Sequence, residues 1–310
     1  MNETSLLPAA SDAARRIDAL FFSLLGVTGL VALAIAIVVV TFCVRYRKAA
    51  KVDRANAPSG NRALEIAWIA APLAAFVGFF TWGAVVYAGL YGGDATAIAV
   101  FVVGKQWMWR VQHENGKREL DELHVPVGQR VRLVLATEDV IHSFFVPAFR
   151  IKQDAVPGRY TEVTFTPTRL GTYRLHCAEF CGTDHARMGG RVVVMRPEDF
   201  ARWLAEGGQA ATMAATGFAT FRRLGCSGCH DPKSAVHAPD LAGLYGRTVQ
   251  LQDGRTVVAD EAYLRDSILL PKRDVVAGFA PVMPSYQGQA TEEEILELIA
   301  YIKSTTPEPR

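Results

Sequence analysis

Two long apolar runs near the N-terminus constrain this 310-residue chain more than any other feature. The first extends from Ala19 to Val44 and the second from Ile66 to Tyr91. Each is long enough for a helix that crosses a bilayer, which needs about 20 apolar residues. A signal peptide has a shorter apolar core and a small-residue cleavage site, so we interpret both runs as retained helices. The sequence predicts a polar tail over residues 1–18 and a transmembrane helix hairpin over residues 19–91.

The short connection between the two runs is strongly basic. Its charged residues are Arg45, Arg47, Lys48, Lys51, Asp53, Arg54 and Arg62. Because basic loops stay on the cytoplasmic side, this connection is predicted to lie inside and both termini outside. Glu65 begins the second run, where the dipole at a helix N-terminus stabilises a carboxylate. The formal net charge of +2 gives no reason to expect a nucleic-acid partner.

After the hairpin the hydrophobic period changes to two, which is typical of β-strands. Short β-branched and aromatic runs, separated by Gly, Pro and charged turns, fill most of residues 92–206. They are IAVFVVG, QWMWRVQ, RVRLVLAT, YTEVTFT and GRVVVM. This pattern predicts a small antiparallel β-barrel or sandwich, and PEDFARWLAEGG predicts a short helix at its end.

The segment from Cys177 to Met188 has the pattern CxExCxxxHxxM, and His142 lies in an upstream segment. Thiol, imidazole and thioether groups suit copper better than calcium or magnesium. The two cysteines could instead form a disulfide or bind zinc with the histidines. A thioether is a poor zinc ligand, so Met188 favours copper, and two bridging thiolates can support a pair of copper ions.

A second cofactor motif follows a run of small residues over 207–216, which we interpret as a linker to a domain over residues 217–310. Cys226, Cys229 and His230 form a CxxCH motif, the attachment signature of c-type haem. A CxxC pair can also be a redox or zinc motif. Met283, in PVMP, can supply a sixth iron ligand, and EEEILELIAYIKS predicts an amphipathic terminal helix.

The runs EDVIHSFFVPAFRIKQDAVPGRY and LHCAEFCGTDHARM together resemble cytochrome c oxidase subunit II, which carries the dinuclear CuA centre. The resemblance implies a cupredoxin fold in which Cys177 and Cys181 bridge two coppers and His142 and His185 each bind one. It further implies that Met188 is a weak ligand and that Glu179 binds through its backbone oxygen.

The same resemblance assigns roles around the copper ligands. Trp107 matches the tryptophan where electrons enter, whereas Trp109 is expected to pack inside the domain. The Glu179 side chain is implied to hold a magnesium ion at the contact with the large subunit, and Glu65 to lie near a proton path. Met108 departs from the family, which more often has Tyr there.

The C-terminal segment resembles class I cytochromes c, which are all-α domains. By that resemblance Cys226 and Cys229 attach haem c and His230 binds the iron from one side, supported by the carbonyl of Pro239. Met283 is then the ligand on the other side. The remaining histidines, His113, His124, His176 and His237, are interpreted as surface or local hydrogen-bonding residues.

These features and the two resemblances together imply a membrane-anchored multidomain electron-transfer subunit of a cytochrome c oxidase, in a bacterial inner membrane with its copper and haem domains in the periplasm. The implied partners are the large catalytic subunit I, further oxidase subunits, the bilayer, and a donor such as a cytochrome c or quinol-cytochrome c reductase. A nitric oxide reductase subunit and a membrane-anchored copper-binding module remain alternatives. A quinol-oxidase subunit is disfavoured, because those lack the copper ligands.

Overall fold

The computed structural model describes residues 8–51, 60–91, 96–206 and 212–305. The chain divides into two compact units, of which one is helical and comprises Asp12–Gly92. The other comprises Met1–Ser11 with Gly93–Arg310, and it contains both the β-rich and the C-terminal helical parts.

The helical unit consists of α1 (Asp12–Arg45) and α2 (Arg62–Tyr91). Both are long and apolar enough to cross a membrane. Each begins before its apolar run, so residues 12–18 of the predicted polar tail are helical. Asp12 stands in the first turn of α1, and the Asn61 side chain accepts hydrogen bonds from the backbone N–H of Ala63 and Leu64 at the start of α2. These polar residues therefore start the helices, as carboxylates and Asn caps commonly do.

The β-rich part is a sandwich of two five-stranded sheets. The first has the order β3-β2-β1-β5-β8 and the second β4-β10-β9-β6-β7. The strands are β1 (Ile98–Lys105), β2 (Met108–His113), β3 (Arg118–Leu120), β4 (Glu122–Pro126), β5 (Val131–Thr137), β6 (His142–Val146), β7 (Ile151–Ala155), β8 (Thr161–Phe165), β9 (Gly171–Cys177) and β10 (Gly189–Met195). A purely antiparallel domain was predicted, but β1 pairs with β5 and β4 with β10 in parallel. A short helix α3 (Pro197–Ala205) follows, as predicted.

Strand β1 is buried on both faces. Val100 and Val102 point into the sandwich, while Ala99, Phe101 and Val103 are buried on the opposite face. A sheet that is covered on both faces loses the alternation of apolar and polar residues. The IAVFVVG run is therefore apolar at every position because the outer face of this sheet is covered as well as its inner face.

The C-terminal domain contains α4 (Met213–Arg223), α5 (Ser227–His230), β11 (Thr248–Gln250), β12 (Thr256–Val258), α6 (Glu261–Leu269) and α7 (Glu292–Ser304). The N-cap Thr212 accepts a hydrogen bond from Ala215, so α4 includes the last four residues of the predicted linker. Residues 207–211 of that linker lie outside the described residues. Thr291 and Glu294 form a capping box at the start of α7.

Candidate functional site

The six predicted copper ligands come together at one end of the sandwich. Strand β9 ends at Cys177, one of the six, and the loop from there to the start of β10 at Gly189 carries four more. Strand β6 begins at His142 and pairs with β9, with Phe144 opposite Cys177. This pairing brings the distant histidine beside the cysteine loop.

The donor atoms lie within a few ångströms of one another. The sulfur atoms of Cys177 and Cys181 are 3.8 Å apart, and the Cys177 sulfur lies 3.3 Å from the backbone oxygen of Glu179. The Cys181 sulfur lies 3.5 Å from Nδ1 of His185 and 3.7 Å from the sulfur of Met188. One ring nitrogen of His142 and the two thiol sulfurs all lie within 4.8 Å of one another. The arrangement offers two nitrogens, three sulfurs and one carbonyl oxygen.

A carboxylate that sequence reasoning missed orients His142. Nε2 of His142 bonds to Oδ1 of Asp139 at 2.7 Å, and Nδ1 is buried without a hydrogen-bond partner among the described residues. An ionised carboxylate accepts, so Nε2 carries the proton and Nδ1 keeps its lone pair. Metal-bound histidines usually donate their other N–H to such an outer partner. The signal was available, since Asp139 stands three residues before His142.

The two thiols are free and have different acidities. A disulfide has sulfurs about 2.05 Å apart, so the 3.8 Å separation leaves both able to bind a metal. Burial opposes ionisation of Cys177, but the adjacent His142 ring and the backbone of Ser143 and Glu179 lower its pKa. Burial, and then the charge of Cys177, raise the pKa of Cys181. The Cys177 thiolate therefore forms easily, whereas a Cys181 thiolate beside it needs a cation to stabilise it.

Trp107 contacts the cysteine loop. Its indole N–H donates to the backbone oxygen of Cys181 at 3.2 Å, and the side-chain amide of Gln106 donates to the same oxygen at 2.8 Å. Gln106 was not singled out in the sequence. Trp109 is fully buried and packs edge-on against His142 and Phe144. Trp107 thus lies at the rim of the site and Trp109 beneath it.

The side chains of the loop differ in their exposure to solvent. Met188 is buried, whereas the side chains of Glu179 and Phe180 face solvent. The Glu179 backbone oxygen points toward Cys177 while its carboxylate remains exposed. Backbone and side chain of this residue are therefore available for separate tasks.

The C-terminal domain encloses a cavity of about 470 Å³. Its lining includes Cys226, Cys229, His230 and Met283, which the sequence predicted as haem residues. Apolar side chains such as Leu298 and Ile302 form much of the rest. Cofactor sites are commonly such apolar cavities with few polar groups.

The imidazole of His230 is oriented by the loop that follows it. Nδ1 donates to the carbonyl oxygen of Pro239 at 2.9 Å, which leaves Nε2 with a lone pair for a metal. The Cys226 thiol is partly buried, and burial raises its pKa. These residues fit a covalently attached haem with one histidine ligand.

The other histidines make local contacts. His113 and His124 both hydrogen-bond to the carboxylate of Glu119, although His113 is buried and not at the surface. Burial raises the pKa of Glu119, but the hydrogen bonds from the two histidines outweigh it and lower that pKa. His176 is exposed, and His237 stacks on Phe279.

Comparisons with known proteins match both parts of the larger unit. Residues 113–195 match the family "Cytochrome C oxidase subunit II, periplasmic domain", and residues 214–306 match "Cytochrome c". The first match implies copper and the second implies haem.

Relatives named cytochrome c oxidase subunit 2 cover the chain to different extents. The protein of Alkalihalophilus pseudofirmus is 29% identical over 98% of this chain and 91% of its own length. That of Thermostichus vulcanus is 45% identical, but the match covers 39% of this chain and 36% of the relative. The solved periplasmic domain of subunit II of cytochrome oxidase from Bradyrhizobium japonicum is 30% identical, with a TM-score of 0.35, over 36% of this chain and 93% of that domain. The chain therefore contains a cytochrome c oxidase subunit II periplasmic domain followed by a cytochrome c domain, and over nearly its whole length it is similar to cytochrome c oxidase subunit 2, a component of an oxidoreductase complex.

Proposed function

We propose that this chain relays electrons from a covalent haem c, through a dinuclear copper centre, to the haem of a large catalytic subunit that reduces oxygen. The observation that carries the proposal is the convergence of five soft or borderline donors and one carbonyl oxygen at one end of the sandwich, among them the unpartnered Nδ1 of His142. When bound, the coppers and the haem each supply a centre that takes up and releases one electron.

The protein residues have distinct tasks in this relay. Cys177 and Cys181 would both hold the copper pair, and His142 and His185 would each bind one of the coppers. Met188 would be a weak ligand, and Glu179 would bind through its backbone oxygen, leaving its exposed carboxylate for a magnesium ion at the subunit contact. Asp139 holds the ring of His142 in the orientation that presents Nδ1.

The cytochrome c domain would hold haem through four residues. Cys226 and Cys229 would attach it, while His230, oriented by Pro239, and Met283 would bind its iron. A histidine and methionine pair raises the potential and closes the iron to small ligands. The domain would therefore transfer electrons and not bind oxygen.

The chain would be anchored by α1 and α2 in a bacterial inner membrane. The basic connection would lie in the cytoplasm, and both termini, the copper site and the haem would face the periplasm. Its partners would be subunit I, further oxidase subunits and a cytochrome or quinol-cytochrome c reductase donor. The names of the relatives favour an oxidase over a nitric oxide reductase, and the match to cytochrome c disfavours a simple copper-binding module.

The full chain, produced with copper and haem, tests the proposal directly. We expect two coppers and one covalent haem per chain, and electron-spin resonance with hyperfine structure split over both copper nuclei. Carbon monoxide should not change the spectrum of the reduced haem, because Met283 would occupy the sixth position. A single-copper pattern would exclude the dinuclear centre, and carbon monoxide binding would exclude Met283 as a ligand.

Trp107→Gln tests the point of electron entry. The change removes an indole that bonds to the Cys181 backbone but removes no ligand, so transfer from haem to copper should slow while both spectra stay unchanged. Laser-flash kinetics measure the rate, and thermal unfolding checks the fold, with the neighbouring Met108→Leu as the control. An unchanged rate would rule Trp107 out and leave strand β1, whose Gly104 adjoins His142, as the route to examine.

A further inference from the structure

Helix α7 is buried on two opposite faces. Ile295, Leu298, Ile299 and Ile302 belong to the core of the cytochrome c domain. Leu296 and Ala300 instead pack with Met213 against the outer face of the first sheet of the sandwich. The sheet residues in this cluster are Ala99, Phe101, Val103, Val134 and Ala136. Positions 296 and 300 share one face of a helix, and positions 298 and 302 lie across it.

A buried carboxylate stands in the middle of this contact. Glu297 is 2% exposed and accepts hydrogen bonds from Arg118 at 2.6 Å and from Gln112 at 3.2 Å, both on the sandwich. A buried charge is costly unless it is paired and hydrogen-bonded. The two partners of Glu297 on the sandwich therefore explain why a carboxylate is tolerated at this buried position.

Two further ion pairs across the same surface have the same arrangement of charge. Arg110 pairs with Glu293 at 3.1 Å, and Arg132 lies 3.7 Å from Glu261. In each pair the base belongs to the sandwich and the acid to the cytochrome c domain. The buried Arg265 is a contact of another kind, because it donates to the backbone oxygen of Gly158 at 2.8 Å. Complementary charges fix orientation and exclude other registers.

The haem cavity lies on the other side of α7 from the sheet. Leu298 and Ile302, on the inner face of α7, line the cavity, and so does Phe221 of α4. All the described residues that line it belong to the cytochrome c domain. A helix with its side chains is about 10 Å across, so α7 separates the cavity from the sheet by that thickness.

We propose that α7 is a docking helix, which fixes the cytochrome c domain at one place on the first sheet and leaves the haem cavity on the far side. The domain is thus held in position and does not move freely on its linker. Glu297 is the residue that fixes its position, because its carboxylate has its partners only in the docked arrangement. The inference goes beyond the proposed relay, and its test needs no copper.

The test measures how tightly the domain binds once its linker is cut. A protease site is inserted within residues 207–211 of the full chain in lipid nanodiscs, and retention of the cleaved haem domain is measured on dilution. A short linker supplies an effective concentration of roughly 1 mM, so a dissociation constant below about 100 μM would keep the intact domain docked. We expect a dissociation constant below about 100 μM, and a higher one would overturn the proposal.

Matched variants test the role of Glu297. Glu297→Gln and Arg118→Gln should each raise the dissociation constant at least about tenfold, and the double variant should be no weaker than the worse single one. Glu294→Gln removes the same charge from the same helix, but Glu294 pairs with Arg223 inside the domain, and Gln preserves the capping box. The dissociation constant of the Glu294→Gln variant should therefore lie within about twofold of the wild-type value.

Arg118 is exposed enough that its variant should fold even if the Glu297 variant does not. Protease resistance of the released haem domain checks the fold of each variant. Equal effects of Glu297→Gln and Glu294→Gln, or no effect of Arg118→Gln, would refute the assigned role.

Discussion

Gly217→Ala is expected to destabilise the cytochrome c domain and leave the sandwich folded. A methyl group at Gly217 would lie 1.9 Å from the backbone oxygen of Glu297 and 3.0 Å from Cβ of Tyr301, where α4 crosses α7. Alanine is the better helix former by about 1 kcal/mol. Overpacking costs about 1–3 kcal/mol and occasionally more, and here the obstacle is backbone that cannot rotate away. The steric cost should therefore outweigh the gain in helix propensity, with a net loss of about 2 kcal/mol.

Proteolysis of the full chain, with the cleavage sites mapped by mass spectrometry, measures this effect in each part separately. The new sites should fall within residues 213–305, and the sandwich should stay resistant. Ala219→Gly, at an exposed position of the same helix, should cost only about 1 kcal/mol through helix propensity. A Gly217→Ala chain as resistant as the wild type would mean that the two helices can separate at no cost.

The copper loop could be predicted because its residues are close in sequence. Cys177, Cys181, His185 and Met188 fall within twelve positions, and their spacing alone indicates a compact site. His142 is 35 positions before Cys177, and only the family resemblance joined it to the loop. The structure supplies the reason, since β6 and β9 are neighbours in the second sheet. The role of these residues as ligands stays a prediction.

The contact between the two folded domains could not be predicted from sequence. The terminal run was predicted to form an amphipathic helix, but the helix is buried on two faces, because Leu296 faces the sandwich, across the helix from Leu298. An amphipathic pattern shows which residues are buried and not what covers them. The unbroken apolar run of β1 carried the matching signal, because Phe101 and Val103 are covered by the same contact.

The helix starts and some polar partners were also missed. Predictions based on apolar runs placed the first helix at Ala19, whereas polar residues from Asp12 onward continue it outward. Glu119 was overlooked because its two histidine partners come together only when the strands are paired. Asp139 stands three residues before His142, but spacing alone did not show that the two side chains hydrogen-bond.

Gly104→Ala is expected to disturb the copper site without changing a ligand. A methyl group at Gly104 would lie 3.0 Å from Cδ2 of His142 and 3.2 Å from Cζ3 of Trp109. Both rings are fully buried, and a hydrogen bond to Asp139 holds Nε2 of His142 in place, so neither ring can move freely. The imidazole must shift by a few tenths of an ångström, which moves Nδ1 relative to the two thiols. We expect lower copper occupancy or altered hyperfine structure, and about 1–3 kcal/mol less stability of the sandwich.

The control is Gly26→Ala, the same chemical change in α1, where a methyl group would meet nothing within 4 Å. Copper content, electron-spin resonance and thermal unfolding of the copper-free chain are measured for both variants, because strain in the protein alone should appear before copper is added. If Gly104→Ala binds two coppers with an unchanged spectrum and unfolds at the wild-type temperature, the space around His142 is less restricted than these contacts indicate. If only the copper-loaded form is affected, the strain arises on binding, and Asp139 would be the next residue to change, since it sets the direction in which the ring can move.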